Sequence, residues 1–178
     1  MRRLIPLAFV VVLASCAHDP SRGQSHEEIM IPGGKVIEYG IYGLVKAGRL
    51  EQNTATSTGT IINKPVLEHI KRTNRIPIEK NTYFAYQYRI SRLPDETRTR
   101  PVLELKRIVK HPAMVLPDGS RSNGSERIIR AKINAGQVIA LDGYAFDEDY
   151  EMVAGDWIFQ IWYKEHLLVE QKFTSYWP

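Results

Sequence analysis

The chain has 178 residues, 43% hydrophobic and 25% charged, with 24 Lys and Arg against 20 Asp and Glu for a formal charge of +4. These proportions belong to a globular protein and exclude a disordered one, and the length suits one domain with a real core, burying about 70% of its extended-chain surface. The single cysteine, Cys16, excludes an intramolecular disulfide and a cysteine-built zinc site.

The chain opens on a targeting pattern. Arg2 and Arg3 supply positive charge, Leu4 to Leu13 form an apolar run of ten residues, and Ala14 and Ser15 are the small residues a signal peptidase needs. Such a run falls short of the about 20 residues required to cross about 30 Å of hydrocarbon, so it predicts a removed leader rather than a permanent span. Leu13-Ala14-Ser15-Cys16 resembles the bacterial lipobox in all four positions. The resemblance implies cleavage between Ser15 and Cys16 and attachment of diacylglycerol to the Cys16 thiol; an ordinary secretory signal with an incidental cysteine is the alternative. Two or three acyl chains, at about 0.8 kcal/mol per buried methylene, hold a protein stably at a membrane. Ala17 stands where an aspartate marks inner-membrane retention in enterobacterial lipoproteins, which favours the outer membrane, facing the periplasm.

The expected domains are a signal peptide over 1–15, the lipidated cysteine and a flexible tether over 16–34, and a β-sandwich over 35–178. Residues 17–34 are polar and rich in Gly, Ser and Pro, with a reach of about 25 Å. From Lys35 the pattern turns strand-like, with Gly40 and Gly43 predicting a bulge or bend. Glu51 to Gly59 reads as a loop, and Thr60 to Ile62 and Val66 to Lys71 as short strands. Phe84, Tyr86, Tyr88 and Ile90 alternate through Thr82 to Ile90, giving a strand with one buried face. A polar connection over Leu93 to Pro101 leads to a strand from Val102 to Lys110 that stops at His111-Pro112. Pro117-Asp118-Gly119 and Asn123-Gly124 both read as turns. Strands follow over Arg127 to Ile133 and Val138 to Phe146, then an acidic loop to Gly155. Trp157 to Tyr163 and Leu167 to Thr174 form a hairpin around a loop of about three residues. Eight or so short strands without a convincing helix predict an antiparallel immunoglobulin-like β-sandwich of seven to nine strands.

Gly155 to Tyr163, followed by Glu170-Gln171-Lys172-Phe173, resembles the closing hairpin of bacterial periplasmic immunoglobulin-like domains. With Glu38-Tyr39-Gly40-Ile41-Tyr42 and Tyr83-Phe84-Ala85-Tyr86 it is similar to an uncharacterised bacterial domain-of-unknown-function family over about residues 35–176. The resemblance implies a fold and carries no site residues.

Charge is unevenly spread: Lys64 to Lys132 holds sixteen Lys and Arg against seven Asp and Glu, and Ile133 to Pro178 holds two against eight. Arg98, Arg100 and Arg107 are therefore candidates to meet an anionic glycan, against the plainer expectation that the two halves pair with each other. Trp162 is a candidate outward-facing anchor for a sugar or a protein, with Trp157, Phe159, Tyr163 and Phe173 assigned to the interior. Asp147, Glu148, Asp149, Glu151 and Asp156 hold no calcium-loop spacing and read as a solvated loop. His69 and His111 read as surface residues at strand ends, and no catalytic or metal motif is present in the sequence. The expectation is a lipid-anchored, non-catalytic binding or assembly module without a cofactor, its partner an envelope protein or an anionic glycan; the compartment disfavours nucleic acid. The alternatives are a glycan hydrolase using a carboxylate pair drawn from Glu104, Asp142 and Asp156, and a passive spacer.

Overall fold

The computed structural model describes residues 31–63, 65–97 and 99–178, the side chains of Ile62 and Glu96 excepted. The leader, Ser15, Cys16 and Arg98 lie outside the described residues. The described residues form eleven strands: β1 (Gly33–Lys46), β2 (Arg49–Gln52), β3 (Thr60–Asn63), β4 (Val66–Lys71), β5 (Arg75–Pro77), β6 (Tyr83–Ser91), β7 (Val102–Val115), β8 (Arg121–Lys132), β9 (Val138–Ala145), β10 (Gly155–Tyr163) and β11 (His166–Tyr176). Single-turn 3-10 helices at Asp95–Thr97 and Asp149–Glu151 are the helical structure of the described residues.

Nine of the strands make a sandwich, as the alternation predicts. One sheet runs β4-β1-β6-β9, the other β5-β11-β10-β7-β8, while β2 and β3 pair only with each other as a separate arm. All pairs are antiparallel except β5 with β11, which is parallel. Period-two alternation sends Phe84, Tyr86, Tyr88 and Ile90 of β6 inward against Trp157, Phe159 and Ile161 of β10, all essentially buried. Phe84 is the hub, its ring centroid 5.2 Å from Phe146, 5.4 Å from Trp157 and Phe173 and 6.1 Å from Phe159. Aromatic pairs at such spacings contribute about 0.5–1.5 kcal/mol each beyond burial. Trp157 keeps its one polar atom satisfied by donating Nε1–H to Ser175 Oγ at 3.0 Å.

Several local expectations change. The strand from Val102 does not stop at His111-Pro112 but continues to Val115. Pro112 is tolerated because the ladder to β8 breaks between Lys110 and Met114, and the ladder to β10 ends at Lys110, so no neighbour asks for its missing N–H. Asn123-Gly124 is not a turn: it lies inside β8, opposite Lys110, and a Cβ on Gly124 would stand 2.4 Å from the Val109 carbonyl oxygen. Glycine there permits close backbone approach. The loop begins at Asn53 rather than Glu51, since Arg49–Gln52 is strand. The closing hairpin turns on two residues, Lys164 and Glu165, with Lys164 at φ 51° in the left-handed region. Gly40 marks the expected irregularity in β1: at φ 147° it lies beside the Ile41/Tyr42 register shift, and a Cβ would stand 1.9 Å from the Lys71 carbonyl oxygen.

Candidate functional site

β9 closes one edge of the first sheet and β8 the same side of the second. A cleft of about 670 Å³ follows this open side. Both faces of β9 line it, Leu141 and Gly143 from the outer face and Asp142 and Tyr144 from the inner, so the cleft wraps the strand's free edge. The β2–β3 arm contributes Leu50 and Ile61, and the loop after β2 contributes Ser57 and Thr58. Tyr83, Tyr150, Asp147 and Glu148 line it as well, as do Arg107 and Arg127 from the second sheet.

Three inward positions at this side are charged. Arg107 follows Leu103 and Leu105 on the inner face of β7, and its Nε donates to both oxygens of Asp142 on β9, at 2.9 and 2.8 Å. This ion pair joins the two sheets. Tyr86 Oη also donates to Asp142, at 3.1 Å, and the Gly143 N–H at 2.9 Å. Burial works against the Arg107 charge, but the Asp142 carboxylate outweighs it and moves the guanidinium pKa up. Arg127 of β8 stands directly opposite Arg107, so two cations share one face with a single bridging carboxylate. Burial, then repulsion from Arg107, lowers the Arg127 pKa. Its Nε is buried without a hydrogen-bond partner among the described residues, as is that of Arg89 elsewhere on β6.

The acidic segment is not a uniformly solvated loop. Glu151 is buried and accepts hydrogen bonds from Tyr144 Oη at 2.8 Å and from the backbone N–H groups of Asp147 and Glu148 at 2.8 and 2.9 Å. Burial raises its pKa and that of Asp147, and pushes the Tyr144 hydroxyl far up. Among the described residues no three His, Cys, Asp or Glu side chains are grouped to hold a metal ion.

His111 is not a surface residue either: it lies on the inner face of β7, 6% exposed, with its ring 5.2 Å from that of Trp157. Its Nδ1 bonds the Pro112 carbonyl at 2.8 Å and its Nε2 meets Ser57 Oγ at 2.8 Å. Burial lowers its pKa.

The residues singled out from the sequence are not brought together. Arg107 is buried and committed to Asp142, so it is not the exposed anion contact expected of it. Arg100 is exposed in the connection before β7. Trp162 is half-buried on the outer face of β10, its Nε1 donating to Gln160 at 3.2 Å and Lys106 Nζ 5.6 Å from its ring centre. Asp142 is held by Arg107; Glu104 sits 3.7 Å from Arg130 Nε and Asp156 2.7 Å from Lys172 Nζ, so each of the three carboxylates has its own cation. Pairing between the basic and acidic halves occurs at Arg107–Asp142 and at Lys80–Asp149, 3.0 Å apart. Ser57, His111 and Arg127 were not anticipated. A signal for Arg127 exists: two residues from Ile129 and opposite Arg107, it falls on an inward position.

The family model described as a domain of unknown function, DUF3859, matches residues 32–175, and the chain belongs to that family. An immunoglobulin-like protein of Pseudomonas aeruginosa, known from a crystal structure, is similar at 24% identity over 78% of this chain and 97% of that one, with a TM-score of 0.51. That likeness supports the immunoglobulin-like sandwich. No curated protein matches the chain.

Proposed function

We propose that this DUF3859 domain is a binding module of the cell envelope, carried on a lipid at Cys16 and a tether that ends where β1 begins at Gly33, which holds an anionic glycan in the cleft around β9. The observation that carries the reading is Arg127: a cation on the cleft wall whose buried Nε finds no partner among the described residues and which stands opposite a second cation, Arg107, across the strand pair. A carboxylated sugar in the cleft would bring its negative charge to this guanidinium and could lay its ring against Tyr83 or Tyr150. The hydrolytic alternative has no such support, because Glu104, Asp142 and Asp156 are each engaged by a separate cation. The outer membrane, facing the periplasm, is the proposed location.

Titration calorimetry with an oligomer of glucuronic acid tests the site. Saturable binding, weakened about tenfold or more in Arg127→Ala and absent for a neutral glucan, is expected from the loss of a charge-assisted hydrogen bond. Equal binding by wild type and variant would remove the cleft from this role. The anchor is tested apart from it: a clickable fatty acid should mark the wild type in cells and not Cys16→Ser, and label retained by the variant would rule the anchor out.

A further inference from the structure

The loop Asn53 to Gly59 is held in shape by its own bonds. Asn53 N–H donates to the Gly59 carbonyl at 2.8 Å, and Thr56 Oγ1 bonds the Asn53 and Thr60 carbonyls at 2.8 and 3.0 Å. Gly59 N–H donates to the Thr56 carbonyl at 3.3 Å, closing a β-turn with Ser57 and Thr58 at its two central positions. A β-turn leaves the N–H groups of its central residues unused. Accordingly, among the described residues, the N–H groups of Ser57 and Thr58 take no partner. Ser57 lines the cleft, and behind it stands His111, closed off from solvent.

The tautomer of His111 follows from its partners. A carbonyl oxygen only accepts, so Nδ1 carries the proton given to Pro112, and Nε2 is left to accept from the Ser57 hydroxyl. Burial keeps the imidazole neutral, and the indole of Trp157 packs against it. A hydroxyl at the cleft, a neutral base at 2.8 Å and a third group fixing that base are the parts of an activated nucleophile.

We infer that Ser57 and His111 form a nucleophile and general base that remove a small acyl group from an O-acylated carbohydrate held in the cleft. The inference adds chemistry to the binding role and rests on it for the carbohydrate only. Ser57 Oγ adds to the ester carbonyl carbon while its proton passes to His111 Nε2. The unused N–H groups of Ser57 and Thr58 are the donors nearest in sequence to the nucleophile for the oxygen that gains charge. The intermediate expels the sugar alkoxide, which takes the proton from His111. Water then adds to the acyl-serine with His111 again as base, and the carboxylic acid leaves with both side chains restored.

The test uses the purified mature domain with a fluorophosphonate probe and with p-nitrophenyl acetate, neither of which needs the glycan. Peptide mapping should find the phosphonate on Ser57. Ser57→Ala should abolish labelling, and His111→Gln should slow both labelling and ester turnover by about 100-fold or more. A structural hydrogen bond alone predicts the opposite, a wild-type Ser57 that stays unmodified, and that result overturns the inference whatever the variants do. Labelling at equal rates in wild type and a His111→Gln variant whose near-ultraviolet circular dichroism is native overturns it too. Failure of glucuronic acid oligomers to bind, with Ser57 labelled, would count against the proposed glycan and not against the dyad.

Discussion

At the centre of the sandwich the inward positions carry Phe84, Trp157, Phe159 and Phe173, whereas on the side bounded by β8 and β9 they include the charged Arg107, Arg127 and Asp142. Both regions obey the same alternation, and each lies between the same two sheets. The difference is what covers them. Central side chains are covered by the facing sheet and by their neighbours, ring against ring and mostly edge to face. At the open side, among the described residues, no further strand follows β9 or β8, so a polar bridge between sheets can be solvated by the cleft on one flank. An inward-facing charge in an alternating strand therefore marks where a sandwich is left open.

The largest effect that would test this contrast lies at the centre. Phe84→Ala should cost about 3–5 kcal/mol, read as a lower urea midpoint at unchanged slope, because it empties the hub of the ring cluster. Next comes the bridge. Asp142→Ala leaves Arg107 buried without its carboxylate and should cost about 3 kcal/mol, while the double change Arg107→Met with Asp142→Leu should recover most of that loss. A double variant as unstable as the single one would mean that the open side tolerates no apolar filling, and the contrast would fail.

A smaller effect is expected in the pH dependence of stability. Burial raises the Glu151 carboxyl above its ordinary 4.5, so the folded state holds the proton more tightly than the unfolded chain. The stability this contributes is full below 4.5 and is lost as pH rises through the higher folded value. Glu151→Gln should flatten that part of the profile in thermal melts. His111, lowered from 6.5, acts with the opposite sign and withdraws stability as pH falls below that value, and this limb should survive in Glu151→Gln. The smallest change is at the surface: Glu104→Ala removes a partner of Arg130 in which both side chains are about 70% exposed, and should shift stability by less than about 0.5 kcal/mol in the same urea series.

The sandwich was legible because period two is a local property: Phe84, Tyr86, Tyr88 and Ile90 declare their face without reference to any partner. The misread strand boundaries share another cause. Pro112 and Gly124 are ordinary breakers in sequence, and only the break in the β7–β8 ladder makes room for them inside strands. The site was largely hidden. Arg107 drew notice for its charge, but its spacing from Leu103 and Leu105 already placed it inside, where it needed a carboxylate from the other sheet. Ser57 and His111 are 54 positions apart, a separation that no motif bridges.

The short strand β5 reaches the sheet only by pairing parallel to β11, joining Arg75 to Thr174 and Pro77 to Tyr176. The neighbouring hairpins β7–β8 and β10–β11 close over small loops, but this contact must bring together segments about a hundred residues apart and bear the larger entropy of closure. Its formation therefore comes late on the folding path. Among chains of this class, such remote pairings set assembly on the millisecond-to-second scale, so β5 is where a kinetic experiment would look for the last event of folding.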